Sequence, residues 1–248
     1  VDRHQPYLWH SLLSPLINLG LLTPVEVVER VMAEPNVPLA SREGFIRQIV
    51  GWREFIYQIY IEYQSHEYHT RNSLGHHRRL NNSWYKGTTG LLPLDETIRG
   101  ILRRGWCHHI ERLMVVGSAM VMAEVHPDDA YRWFLELFVD SGEWVMIPNV
   151  YGMSQFADGG FFATKPYVSG SAYLRKMTNY PVGAWCEVWD GLYWNFISHH
   201  QQLFIANPRM SMMVRQWEKM SPAKQEHHQT VAKNWIKSVT LDPSQVSR

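Results

Sequence analysis

Two cysteines in 248 residues are too few for a disulfide framework and fit a reducing compartment, so a cytoplasmic location is expected. No run of 18 or more apolar residues occurs, which argues against a membrane-spanning helix. Excess charge of either sign is also missing. Against 23 Asp and Glu stand 24 Lys and Arg, so any contact with nucleic acid must come from a local basic patch. The first residues, Val1-Asp2-Arg3-His4, form no charged-then-apolar leader and lack a Met, which suggests processing or a fragment of a longer protein. Strand-like alternation persists nowhere and no internal repeat is visible, leaving helix as the default element.

What the chain does have is aromatic weight, with 11 Trp and 12 Tyr. Rings this large are costly on a surface, so many should fill a core or line the pocket of a planar ligand. With 45% hydrophobic residues the chain suffices for one large domain. The expected architecture is all-α, with a helical domain over residues 1–240 and a polar tail over 241–248. The stretch around which the chain is organised is Gly105-Trp106-Cys107-His108-His109-Ile110-Glu111-Arg112-Leu113. There an indole, two adjacent imidazoles and a guanidinium enter an otherwise apolar helix. In a regular helix His109, Arg112 and Val116 share one face, and His108 stands four residues before Arg112. A histidine and an arginine aimed at a core need a polar or anionic partner, because burying a lone charge is expensive. Tandem histidines recur at His76-His77, His199-His200 and His227-His228, in polar surroundings that read as solvent-facing.

Thr23 as N-cap with Pro24 behind it predicts a helix to about Glu34. Ser41 caps the next, where Phe45, Ile49, Trp52, Ile56 and Tyr60 recur at helical spacing around an embedded Arg53. Residues 65–88 lose that pattern and read as a long, partly irregular surface connection. His66 and His69 could bind a metal there, but no third ligand stands at a defined spacing. Asp95 opens a helix to about Arg104, and Gly105 breaks it. His126-Pro127-Asp128-Asp129 starts another, which ends near Asp140 and places acids where the helix dipole favours them. Pro148 should terminate the short apolar run 144–149. Residues 151–184 are the least regular, and their Lys165, Tyr167, Tyr173, Arg175 and Lys176 could grip a phosphate backbone or simply solubilise a loop. Helices return over 188–205, after Pro208 and after Ser221-Pro222.

Several segments together resemble the flavin-binding helical domain of the photolyase/cryptochrome superfamily, in particular its bacterial photolyase-related branch, which includes iron–sulfur (6-4) photolyases. His10-Ser11-Leu12-Leu13-Ser14-Pro15 with Gly20 is similar to a phosphate-binding Thr-Ser-x-Leu-Ser-Pro segment, and Trp52-Arg53-Glu54-Phe55 to a Trp-Arg-Glu-Phe helix. Thr89-Gly90, Pro93 and Asp95 loosely follow a Thr-Gly-x-Pro-x-x-Asp turn, and Gly105-Trp106 through Arg112 is similar to the Gly-Trp-x-His-Asn/His helix beside the flavin. The run Asn149-Val150-Tyr151-Gly152-Met153-Ser154-Gln155-Phe156-Ala157-Asp158 resembles the photolyase-related branch specifically, as do Thr164-Lys165-Pro166-Tyr167 and Ser169-Gly170-Ser171.

The resemblance implies FAD folded within a helical cavity. Ser11, Leu12, Leu13 and Ser14 would hold its pyrophosphate, with Arg53 adding charge and Arg112 and Asp140 paired against the isoalloxazine edge. It also assigns Gln48, Trp52, Trp106, His109, Met146 and Asn149 to the flavin site, Trp133 to electron transfer, and Lys165, Tyr167 and Tyr173 to damaged DNA. The implied chemistry is light-driven electron transfer from reduced FAD to a pyrimidine dimer of (6-4) type. His108 and His109 would act on the proton, on a dinucleotide flipped out of the duplex. A monomer is expected, preceded in the whole protein by an α/β antenna domain. The chain departs from the pattern at Phe134, often Tyr in relatives, and at Met146, where relatives place a polar or acidic residue. It also lacks the cluster thiols around Pro93, Pro181 and Ala184, so no iron–sulfur cluster and no metal is expected, with Trp185, Trp189, Tyr193 and Trp194 filling that region. A cryptochrome-like photoreceptor and a helical binding remnant without FAD remain the alternatives.

Overall fold

The computed structural model describes residues 1–245. Residues 246–248 of the expected tail and the side chains of 63–67, His66 among them, lie outside the described residues. The fold is all-α. Among the described residues the only strands are Arg79–Leu80 and Thr240–Leu241, paired antiparallel, so the chain beyond 240 begins inside the fold rather than as a free tail.

The main core is built on the central helix. Val115, Val116, Ala119, Met120, Val121 and Met122 are wholly buried, packed among Trp84, Leu94, Ile98, Trp133, Trp189 and Phe196. A smaller cluster of Ile17, Val27 and Ile49 joins the N-terminal helices Leu13–Asn18 and Pro24–Met32 to the segment after them. Three stretches leave the regular helix for a wider turn: Arg47–Trp52, Glu111–Gly117 and Pro148–Ser154. Wide turns are rare and gather at functional sites. These three carry Gln48 and Trp52, Arg112, and Asn149, all assigned to the flavin by resemblance.

Several elements differ from expectation, each for a local reason. The helix Leu39–Ile46 begins behind Pro38, so Ser41 lies inside it rather than capping it. Helix Leu92–Arg104 begins three residues before Asp95, whose carboxylate instead accepts the N–H groups of Thr89 and Gly90 and staples the preceding turn. Helix Arg53–Thr70 runs into the region read as a surface connection, and Tyr68 and Trp84 there are wholly buried. Helix Glu143–Ile147 ends at Pro148 as expected, but the chain stays helical. The missing proline N–H is accommodated as the chain widens into Pro148–Ser154. The region 151–184 also gains a helix, Ser171–Met177, whose first N–H and hydroxyl bond Asp190. The helix expected over 188–205 starts at Ala184 and breaks at His200, and the one expected at Pro208 starts at Ser211.

Gly105 sets the entry to the central segment. It caps helix Leu92–Arg104 in a left-handed conformation (φ 62°), and its carbonyl accepts the Val139 N–H at 2.9 Å. A β-carbon there would lie 2.6 Å from Val139 Cγ1, whereas one on the left-handed Gly75 would meet nothing within 4 Å. Gly105→Ala is therefore expected to cost about 1–3 kcal/mol, and Gly75→Ala less. Thermal unfolding compares the two, and equal losses would mean that the Val139 contact does not constrain this turn.

Candidate flavin site

Asp140 lies beyond helix Pro127–Leu137 with 4% of its surface exposed. Arg112 embraces it with both terminal nitrogens, at 2.9 and 2.8 Å. The Ser14 hydroxyl donates to the same carboxylate at 2.7 Å, and the Asn18 amide donates to the Asp140 carbonyl at 2.6 Å. Asn18 then accepts from Arg53 at 2.7 Å. Each guanidinium also covers a ring, Arg112 over Phe138 at 4.2 Å and Arg53 over Trp144 at 4.9 Å. The Arg112 Nε is used as well, donating to the Cys107 carbonyl at 2.8 Å. A buried ion pair persists only when its remaining donors and acceptors are met, and here they are. Four sites assigned from sequence, Ser14, Arg53, Arg112 and Asp140, thus fall into one network. Asn18, Trp144 and Phe138 complete it. Asn18 could have been found, since it stands four residues after Ser14 on one helix.

The paired histidines divide. His108 is 2% exposed and stacks on His10, ring centres 4.6 Å apart and planes 7° from parallel. Its Nδ1 accepts the Glu111 N–H at 3.4 Å, which in the neutral ring leaves the proton on Nε2, 3.5 Å from the Glu111 carboxylate. Burial, with His10, His109 and Arg112 nearby, pushes His108 down to about 4. Burial pushes Glu111 up to about 7, and its Oε2 has no hydrogen-bond partner. His109 is exposed, and burial, with Arg112 and His10 nearby, lowers its pKa too.

The remaining assigned residues spread around this centre. Ser11, Leu12, Gln48 and Trp52 are exposed, Leu13 and Asn149 half-buried, and Trp106 and Met146 buried. Asn149 donates to the Val145 carbonyl at 2.8 Å, and Trp106 packs on Tyr7. Trp133 is wholly buried, donates to the Trp84 carbonyl and meets Phe138 edge-on at 6.0 Å, so it reaches Arg112 through one intervening ring. Lys165 and Tyr173 are exposed and Tyr167 half-buried. No contact found among the described residues joins these three to the Asp140 network. Trp185 and Trp189 are buried edge to face, with Tyr193 and Trp194 against the same core. Cys107 is buried and Cys186 half-buried. His69 is engaged by the Tyr151 hydroxyl at 2.7 Å. Among the described residues no helix is long and apolar enough to cross a membrane.

The donor set fits a flavin dinucleotide. Cationic Arg53 and the exposed Ser11 suit a pyrophosphate, exposed Leu12 and Trp52 suit an adenine or flavin face, and the Arg112–Asp140 pair offers both a donor and an acceptor edge. The Ser14 proton is spent on Asp140, so backbone N–H groups there would carry more of the anion. A family model described as the FAD binding domain of DNA photolyase matches residues 45–169. The chain belongs to that family. It is 37% identical over 232 residues to a (6-4) photolyase of Agrobacterium fabrum, a match covering 88% of this chain but 46% of the relative, so the chain spans about half that protein's length. Two uncharacterized proteins of Acanthamoeba polyphaga mimivirus are 44% and 36% identical over 107 and 109 residues.

Glu111 gives the site a pH signature. Its folded pKa is raised from 4.5 to about 7, so between these values the folded state holds more protons than the unfolded, and stability falls as pH rises. Glu111→Gln is expected to raise the unfolding midpoint more at pH 8 than at pH 5. An equal gain at both would contradict the raised pKa.

Proposed function

We propose that this chain is the flavin-binding catalytic part of a light-dependent DNA photolyase of (6-4) type, with damaged DNA as its substrate, FAD as its cofactor and no iron–sulfur cluster. The observation that carries the reading is an exposed imidazole, His109, three residues before the Arg112 that pairs with Asp140. Similarity to the Agrobacterium (6-4) photolyase supports the lesion type. Reduced FAD, when bound, supplies the light-driven electron that splits the dimer.

The chain's own residues do the rest. Arg112 and Asp140 fix one polar edge of the cavity, and Ser14 and Asn18 keep Asp140 from turning away. Buried His108 braces the floor through His10 and Glu111. His109 presents its ring nitrogen to the lesion. Burial lowers its pKa, which makes its protonated form the stronger acid. Only two cysteines are present, so the chain's thiols cannot supply a four-cysteine cluster.

The test is a repair assay on oligonucleotides carrying one defined lesion, under light and in the dark. The wild type is expected to restore (6-4) lesions only in light. His109→Ala is expected to abolish repair while keeping its flavin, and His228→Ala, far along the chain in helix Pro222–Val239, to repair normally. Equal repair by both variants would make the paired histidines structural. Bound flavin without repair of any dimer would point to a photoreceptor.

A further inference from the structure

The helix that carries Arg112 widens over Glu111–Gly117, and Gly117 closes that turn. Its φ of −60° is ordinary helix, so the position has no need of glycine's conformational freedom. What it needs is space. A β-carbon on Gly117 would collide with the Ser154 Oγ and lie 3.0 Å from the carbonyl oxygen of Arg112, five residues back. That carbonyl stands so close because the turn is wide, a shape that reaches back five residues instead of four. Glycine therefore lets the Arg112 backbone and the Ser154 side chain share one face of the helix.

Ser154 has little freedom to turn aside. It closes the second wide turn, Pro148–Ser154, and its Oγ accepts from the Gln155 amide at 2.9 Å. The same amide nitrogen points to the Gly117 carbonyl at 3.5 Å. Gln155 is 2% exposed, and among the described residues its Oε1 has no hydrogen-bond partner. Losing the Ser154 bond as well would leave a buried amide almost wholly unmet, which is costly. The two turns are thus locked at one point. The first carries Arg112, whose two prongs hold Asp140, and the second carries Asn149.

We propose that Gly117, with Ser154 and Gln155, is the positioning point of the flavin cavity: its bare α-carbon sets where the Arg112 carbonyl lies, and so how the guanidinium meets Asp140. The purpose rests on the flavin reading above; the geometry does not. Gly117 acts through Arg112, whose N–H is already fixed to the His108 carbonyl at 3.2 Å and whose Nε is fixed to the Cys107 carbonyl at 2.8 Å. With those ends held, a push on the Arg112 carbonyl changes the aim of the guanidinium. A two-pronged pair has little tolerance for a change of angle, so one prong is lost first.

Gly117→Ala tests this beside Gly87→Ala, where a β-carbon would lie 2.9 Å from the Asp95 carbonyl oxygen, outside the Asp140 network. Both are expected to lower the thermal midpoint. Gly117→Ala alone is expected to shift the flavin absorption bands and to weaken FAD binding by about tenfold or more, as misplacing a positioned group does. Adding Ser154→Ala, which removes the colliding oxygen, should recover part of that affinity. A second readout needs no flavin. The midpoint lost to Gly117→Ala should shrink in an Arg112→Lys background, which has no two-pronged pair to disturb. Wild type without FAD would sink the flavin reading and leave this coupling to decide the positioning. Equal midpoint losses in the two backgrounds would overturn the proposal. So would FAD affinity lost no more in Gly117→Ala than in Gly87→Ala, or a double variant no better than the single. If Gly117→Ala fails to fold, Gln155→Leu, which frees Ser154, decides in its place, and unchanged FAD affinity there overturns the proposal too.

Discussion

A carboxylate buried in a helical interior needs hydrogen-bond partners, and Asp140 imposes that condition on the fold around it. Ser14 from the first helix and Arg112 from the central one meet the carboxylate, while Asn18, donating to the Asp140 backbone carbonyl, ties in Arg53. The N-terminal helices have only a small apolar cluster of their own in Ile17, Val27 and Ile49, so this polar network is a principal tie between them and the main core. Its two arginines leave one net positive charge per network once Asp140 is counted, which suits an anionic cofactor.

The helical irregularities follow the same geography. Each of the three wide turns carries a residue assigned to the flavin by resemblance, and each gives up hydrogen-bond geometry that a plain core helix would keep. Behind Arg112 the rings of Phe138, Trp133, Trp84 and Trp235 follow one another into the core, with the indole N–H groups of all three tryptophans bonded to backbone carbonyls.

Much of this was legible in the sequence. Apolar spacing and the Thr23-Pro24, His126-Pro127 and Ser221-Pro222 starts gave all-α, because capping chemistry is local. The family resemblance implied Arg112 and Asp140 as partners, and they meet at 2.8 Å. What stayed hidden is non-local. His10 acquires its role only once His108, 98 positions away, arrives beside it. The polar look of 65–88 concealed the buried Trp84 and His76, because a histidine's burial depends on what packs over it. The three wide turns were equally hidden, since the sequence period of a helix does not announce where it will widen.

Flavin content measures the role of the Arg112–Asp140 pair most directly. Purified wild-type protein, denatured to release noncovalent cofactor, is predicted to yield close to one FAD per chain. Arg112→Ala, which strands Asp140 at a cost of about 3–5 kcal/mol for a broken buried pair, is predicted to yield far less while remaining helical. Flavin retained undiminished by Arg112→Ala would contradict the claim that this ion pair holds the cofactor.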